Sequence, residues 1–210
     1  MTEDTKALHD YILRHTTDED ELLRELVTAS EKELDHIDML SGNTVGQLLA
    51  LLIRLGGMKR ILEIGTFTGY GTLQMVQALP EDGQIITLEM NERFLAVSDD
   101  FLSRPPYDRM IHQMLGPALE SIRSLEGPFD MVFLDADKAG YPAYYESVRP
   151  LLSSGGLLVA DNVFWNGEAI EARTRKGEAV DRFNRMVQED PDFQNVMLPV
   201  RDGLMIARKA

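Results

Sequence analysis

The chain has 210 residues, with 21 Lys plus Arg against 35 Asp plus Glu and a formal net charge of −14. It contains no cysteine, which excludes disulfides, thiolate metal sites and cysteine nucleophiles. The acidic balance argues against nucleic acid and anionic membranes as partners, and no apolar run approaches the roughly 20 residues of a membrane span. The opening MTEDTKALHDYILRHTTDEDELL lacks the basic start and apolar stretch of a signal peptide, so the expected location is the cytoplasm. Up to about Leu55 the chain reads as helical. The acidic run Asp18–Glu21 suits a helix start, and Leu22, Leu23, Leu26 and Val27 recur at helical spacing. A second helical run follows Gly46 through Leu48, Leu49, Leu51, Leu52 and Leu55, with Met39–Thr44 expected as the loop between.

After Gly56-Gly57 short apolar runs alternate with helical segments. Strands are expected at Arg60–Ile64, Gln84–Glu89, Arg109–Met114, Phe129–Asp135 and Gly156–Asp161. Helices are expected near Thr72–Leu79, Asn91–Leu102, Ala118–Ser124 and Ala143–Leu152. Continuously apolar strands alternating with helices imply a parallel sheet covered on both faces. Phe193–Pro199 and Leu204–Arg208 are separated only by a short turn and must pair as an antiparallel hairpin. The expectation is an α/β, doubly wound, mostly parallel sheet of about seven strands with a C-terminal hairpin. One domain is expected over 1–210, with 1–55 as a helical N-terminal extension.

The first strand runs into Gly65-Thr66-Phe67-Thr68-Gly69-Tyr70-Gly71 and then a helix. Glycines let a backbone approach a ligand at the carboxyl end of a strand, and the helix start beyond offers free N–H groups. The third glycine of a dinucleotide fingerprint is missing, and no Gly-Lys-Ser/Thr follows to make a P-loop. Glu63 is a carboxylate in an apolar strand and needs a partner: a loop amide, a water or a cationic ligand. Glu89 ends the second strand, where a carboxylate can accept both ribose hydroxyls of an adenosyl group or of NAD. Asp135 and Lys138 end the fourth strand, and Asp161-Asn162 end the fifth, on the same rim as the glycine turn. Asp135, Asp161 and Asn162 offer oxygen only, which suits Mg²⁺, with Ca²⁺ or Mn²⁺ as alternatives. Lysine free in water stays protonated at neutral pH; burial beside a cation is what would release the amine of Lys138 as a base. Arg173–Lys176 reads as a mobile basic loop near the site or as a plain solvated loop. His9, His15, His36 and His112 share no spacing and read as surface or packing residues.

Taken together, LEIGTFTGYGT, QIITLE, GPALE, FDMVFLDADK, LLVADNVFWNG and LPVRDGLMIARK resemble the metal-dependent O-methyltransferases that include the catechol and caffeoyl-coenzyme A enzymes and bacterial relatives. The resemblance runs from Met39 to Lys209. It implies S-adenosylmethionine as cofactor, held at Ser41, Glu63, Gly65, Thr66, Gly69, Tyr70, Gly71, Glu89, Met90, Gly116, Ala118 and Asp135. It implies a divalent metal on Asp135, Asp161 and Asn162, Lys138 as general base, and an acceptor pocket near Lys138, Trp165, Asn166 and Asp202. Position 71 is often serine in that family and is glycine here. The short N-terminal segment offers no evident anchor for a coenzyme A thioester. The expected acceptor is a small aromatic vicinal diol, and the family commonly forms homodimers. Alternatives are the same chemistry on a hydroxylated uridine of tRNA, an NAD-dependent oxidoreductase and a non-catalytic binding protein.

Overall fold

The structure is a computed structural model and describes residues 3–33 and 40–210; His36 and Met39 fall outside that range. Three helices lead: α1 (Glu3–Arg14), α2 (Glu21–Glu33) and α3 (Gly42–Gly56). The acidic run does start a helix, since the Leu23 amide donates to Asp20 Oδ1 at 2.9 Å. Leu23 and Leu26 bury one face of α2. The expected loop is only partly present, because Gly42, Asn43 and Thr44 form the first turn of α3. Gly46 is a packing contact rather than a break: a Cβ there would lie 2.7 Å from the Gln74 side chain. The apolar stripe therefore runs through it, from Val45 to Leu49.

Seven strands form one sheet: β1 (Arg60–Ile64), β2 (Gln84–Glu89), β3 (Ile111–Leu115), β4 (Phe129–Leu134), β5 (Leu152–Asp161), β6 (Phe193–Leu198) and β7 (Leu204–Lys209), in the order β3-β2-β1-β4-β5-β7-β6. β1 to β5 are parallel; β7 runs antiparallel to both β5 and β6. The doubly wound sheet with its C-terminal hairpin is as expected. The crossovers carry α4 (Tyr70–Val76), α5 (Glu92–Leu102), α6 (Ala118–Ile122) and α7 (Tyr141–Val148). Helix α7 stops short of the expected Leu152, because Pro150 supplies no amide and the chain tightens into a 3-10 turn over Arg149–Leu151. β5 starts at Leu152, earlier than the expected Gly156, and Ser153–Gly156 continue the strand across a register shift. Arg109 belongs to a 3-10 turn ahead of β3.

Between β5 and β6 lie two helices that were not expected, α8 (Glu168–Glu171) and α9 (Arg175–Glu189). Arg175 and Lys176 are the first turn of α9, not the end of a basic loop. Thr174 caps that turn by accepting from the Gly177 amide at 3.0 Å. Val180, Phe183 and Val187 are fully buried on one face of α9; each such side chain contributes roughly 1.5–3 kcal/mol. No described helix is long and apolar enough to cross a membrane.

Side chains alternate across a strand, and the alternation sorts the core into two layers. Ile61, Met131, Phe133 and Val159 pack toward α2, α3 and α4. Leu62, Ile64, Val132, Leu134, Leu158 and Ala160 pack toward α7 and α9. Glu63 shares the parity of Ile61 and so points into the first layer, where it is fully buried. Within the protein its partners are two hydroxyls rather than a loop amide: Thr72 and Thr87 donate to Oε2, the latter at 2.6 Å. Burial outweighs those two bonds and pushes the Glu63 carboxyl from 4.5 up to about 8. The chain then turns at Gly65, whose φ is +101° and where a Cβ would lie 2.1 Å from the backbone oxygen of Asp135.

Two outcomes follow. The folded protein keeps the Glu63 proton up to about pH 8, whereas the unfolded chain releases it near 4.5, so stability falls as pH rises through that window. Urea unfolding between pH 5 and 7.5 should show Glu63→Gln gaining on the parent by up to roughly 1.4 kcal/mol per pH unit; parallel profiles would mean that Glu63 is ionised when folded. Gly65→Ala meets backbone and should lower Tm by roughly 6–12 °C, for a cost of about 3 kcal/mol. Gly57→Ala, at φ +59° with nothing within 4 Å, should cost only about 1 kcal/mol.

Candidate active site

A cavity of about 590 Å³ opens at the carboxyl ends of β1, β2 and β4. On one side the glycine turn supplies Gly65, Thr66 and Phe67, and the start of α4 supplies Tyr70 and Gly71. Gly69 does not line the cavity; at φ +87° it makes the turn and sits against Leu102. Gly71 fits because its side-chain space is taken: a Cβ there would lie 2.9 Å from Glu63 Oε1 and 3.4 Å from Phe133. Tyr70 is held from below, its hydroxyl donating to Glu19. Ser41 and Leu40 close the cavity from the segment ahead of α3, and Gly116 and Ala118 from the turn after β3.

Glu89 is fixed by three amides. Phe67 N donates to Oε2 at 2.8 Å, and Met90 N and Asn91 N donate to Oε1 at 2.8 and 2.9 Å. Its carboxylate thus ties the glycine turn to the start of α5 and keeps lone pairs free toward the cavity. Phe67 and Phe94 meet edge to face at 4.7 Å, and with Pro117 and Leu119 they add an apolar wall. The sequence assigns none of these four to the site, although Phe67, Pro117 and Leu119 lie inside its quoted motifs; only an apolar residue beside each strand end signals them.

The acidic side comes from the ends of β4 and β5. Asp135 Oδ1 accepts from Lys138 Nζ at 2.9 Å, and Oδ2 accepts from Ser41 Oγ at 3.3 Å. Lys138 is almost wholly buried, with a side-chain exposure of 5%. Its Nζ also donates to Tyr141 Oη, and that hydroxyl donates to the backbone oxygen of Asp161 at 2.8 Å. Tyr141 is a further residue the sequence reading missed, although Lys138 and Tyr141 are three apart at the start of a helix. Asp161 is 1% exposed. Its Oδ1 accepts from the Asn162 amide at 2.8 Å, but its buried Oδ2 has no partner among the described residues. Burial first, and the nearby charge of Asp135 second, raise the Asp161 carboxyl well above the carboxylate range. Asn162 and Asp135 line the cavity, with Asp161 immediately behind. Among the described residues no group of three or more His, Cys, Asp or Glu is placed to hold a metal; the set here is two carboxylates and one amide. An orphaned buried oxygen beside a second carboxylate fits a hard cation.

The loop after β5 places Trp165 on the cavity wall. Asn162, Trp165 and Asn166 all take positive φ, between 47° and 57°, so outside contacts must hold the loop. Asp202 supplies them. Both its carboxylate oxygens accept from the Asn166 amide, at 2.8 and 3.0 Å, and its carbonyl accepts from Phe164 N at 2.9 Å. Asn166 and Asp202 therefore brace the wall and do not line the cavity. Arg201, in the same turn, donates from Nη1 to the carbonyl of Leu40 at 2.6 Å. Lys176 reaches the mouth from α9, its Nζ 5.2 Å from the centre of the Trp165 ring. A larger surface groove between α2 and α5, about 760 Å³, is lined by mixed charges such as Arg24, Glu25 and Lys32 and brings together no comparable set.

Residues 13–210 match the family described as O-methyltransferase. A caffeoyl-CoA O-methyltransferase from Medicago sativa is 32% identical over 219 residues, covering 97% of this chain and 88% of that protein. Tricin synthase 2 from Oryza sativa is 30% identical, covering 98% and 75%. Among solved structures, the O-methyltransferase of tomaymycin synthesis from Streptomyces achromogenes, in complex with S-adenosylmethionine, superposes with a TM-score of 0.90 at 30% identity, with all of both chains covered. An S-adenosylhomocysteine-bound methyltransferase from Podospora anserina gives 0.92 at 28% identity, covering 100% and 97%. The chain belongs to the O-methyltransferase family and is an S-adenosylmethionine-dependent enzyme of that class.

Proposed function

We propose that the acceptor is a small aromatic vicinal diol and that a divalent cation assists the transfer. The observation that carries this reading is the partnerless, buried Oδ2 of Asp161 beside Asp135, on the rim that also holds the cofactor turn. The cofactor's sulfonium and ammonium suit a cavity edged by Glu89 and Asp135, with the protonated Glu63 as a neutral hydrogen-bonding neighbour. Glu89 accepts the ribose hydroxyls. Gly65, Thr66, Tyr70, Gly71, Met90, Gly116, Ala118 and Ser41 enclose the rest, while Gly69 shapes the turn. Asp135, Asp161 and Asn162 hold the cation, which when bound stabilises negative charge on the diol oxygens.

Lys138 takes the hydroxyl proton on Nζ, and Asp135 and Tyr141 hold that nitrogen in place. The acceptor oxygen forms a bond to the methyl carbon as the carbon–sulfur bond breaks, and the electron pair leaves on sulfur. Trp165 packs the acceptor ring, and Asn166 and Asp202 keep Trp165 in position. Orientation at about 3–3.5 Å supplies much of the rate. No observation favours the tRNA reading: the acids at the cavity other than the protonated Glu63, namely Glu89, Asp135 and Asp137, give the wrong sign for a phosphate backbone. The enzyme class settles the oxidoreductase alternative. A homodimer remains part of this reading, supported by Leu8, Tyr11 and Ile12, which leave α1 with an exposed apolar side.

The test is methyl transfer from S-adenosylmethionine to a panel of vicinal aromatic diols, with Mg²⁺ or with EDTA, read by mass. EDTA, Asp161→Ala and Lys138→Ala should each reduce turnover by at least about 100-fold. Turnover that survives all three would overturn the cation and the lysine together.

A further inference from the structure

Four acids, Glu63, Glu89, Asp135 and Asp137, line the cavity among mostly uncharged residues. Among the described lining residues, only Lys138 and Lys176 are cationic. The Lys138 nitrogen is committed to Asp135 and Tyr141 deep in the site. Lys176 is committed to nothing comparable. Its one carboxylate neighbour, Asp137, is 3.8 Å away, with the two side chains 49% and 56% exposed. Contacts of that length and exposure contribute little. The first turn of α9 hangs Lys176 between the segment after β4, through Asp137, and the loop after β5, through Trp165. Those are the two segments that also carry Asp135 and Asn162. Asp135, Asn162, Trp165 and Lys176 thus line one cavity, with the Lys176 ammonium set over the Trp165 ring.

We infer that Lys176 is a specificity-determining residue that selects acceptors carrying a carboxylate on the ring, away from the reacting hydroxyls. A chain of net charge −14 repels an anionic acceptor in general. A local cation at the mouth, stacked on the aromatic wall, reverses that repulsion for this one class of ligand. Arg175 precedes it on the same exposed stretch and adds to the local field, whereas Arg173 pairs with Glu171 at 3.2 Å. The inference rests on the reading of this cavity as the acceptor site.

The experiment compares 3,4-dihydroxybenzoate with its neutral amide. In the parent enzyme kcat/KM should favour the carboxylate by roughly five-fold at low salt, and the preference should fade as ionic strength rises. Lys176→Met should bring the ratio to about one through KM, and Lys176→Glu should invert it. A ratio that does not respond to either substitution, or a parent that prefers the amide, overturns the inference. Titration of both ligands into the protein with S-adenosylhomocysteine reads the same preference without turnover. If no diol is methylated but the titration still shows a Lys176-dependent preference for the carboxylate, the proposed reaction fails and the selectivity stands. Binding of neither ligand, or equal binding, sinks the selectivity itself.

Discussion

The parallel register of β1, β4 and β5 is the constraint on which the site depends. Ile64 pairs with Leu134 and Leu134 with Ala160, so all three strands arrive at one rim in step. The next residues along β4 and β5 are Asp135 and Asp161. Because side chains alternate, these two acids take the same face as Glu63, the face toward α3 and α4. Slipping any one strand by a single residue would turn its acid into the other core layer. Gly65 guards the register, since the turn passes so close to the Asp135 carbonyl that no side chain fits.

Electrostatically, the cavity gathers carboxylates that have quite different support. Glu89 is satisfied by three amides. Asp135 has Lys138 and Ser41. Glu63 has two hydroxyls but no cation, and burial keeps it protonated near neutrality. Asp161 keeps one oxygen without a partner. The unevenness matters, because a buried acid with full support needs nothing more, whereas one without it favours a proton or a cation. The same acidity explains why a positively charged cofactor suits the chain.

Much of this was legible in the residues. Strand ends carrying Glu63, Glu89, Asp135 and Asp161 stood out because acids rarely end apolar runs, and parallel topology then required them to converge. What could not be read was contact. Gly46 looked like a boundary and is a packing surface against Gln74. Helix α9 carries Val180, Phe183 and Val187 at helical spacing, but the basic run before it read as loop, because exposed charges carry no periodic signal. Asn166 and Asp202 were expected at the acceptor and instead bind each other. Tyr141 and Lys176 reach the site through side-chain directions that strand and helix patterns do not encode.

The turn from 199 to 203 connects β6 to β7, and on topology alone it merely finishes the sheet. Arg201 in that turn holds Leu40, which lines the cavity beside Ser41. Asp202 and Gly203 hold Asn166, Phe164 and Val163, in the loop that puts Trp165 on the opposite wall. Hairpin turns ordinarily accommodate insertions and drift in sequence, because nothing else leans on them. Here one short turn is the common abutment of two walls, and lengthening it would shift both at once.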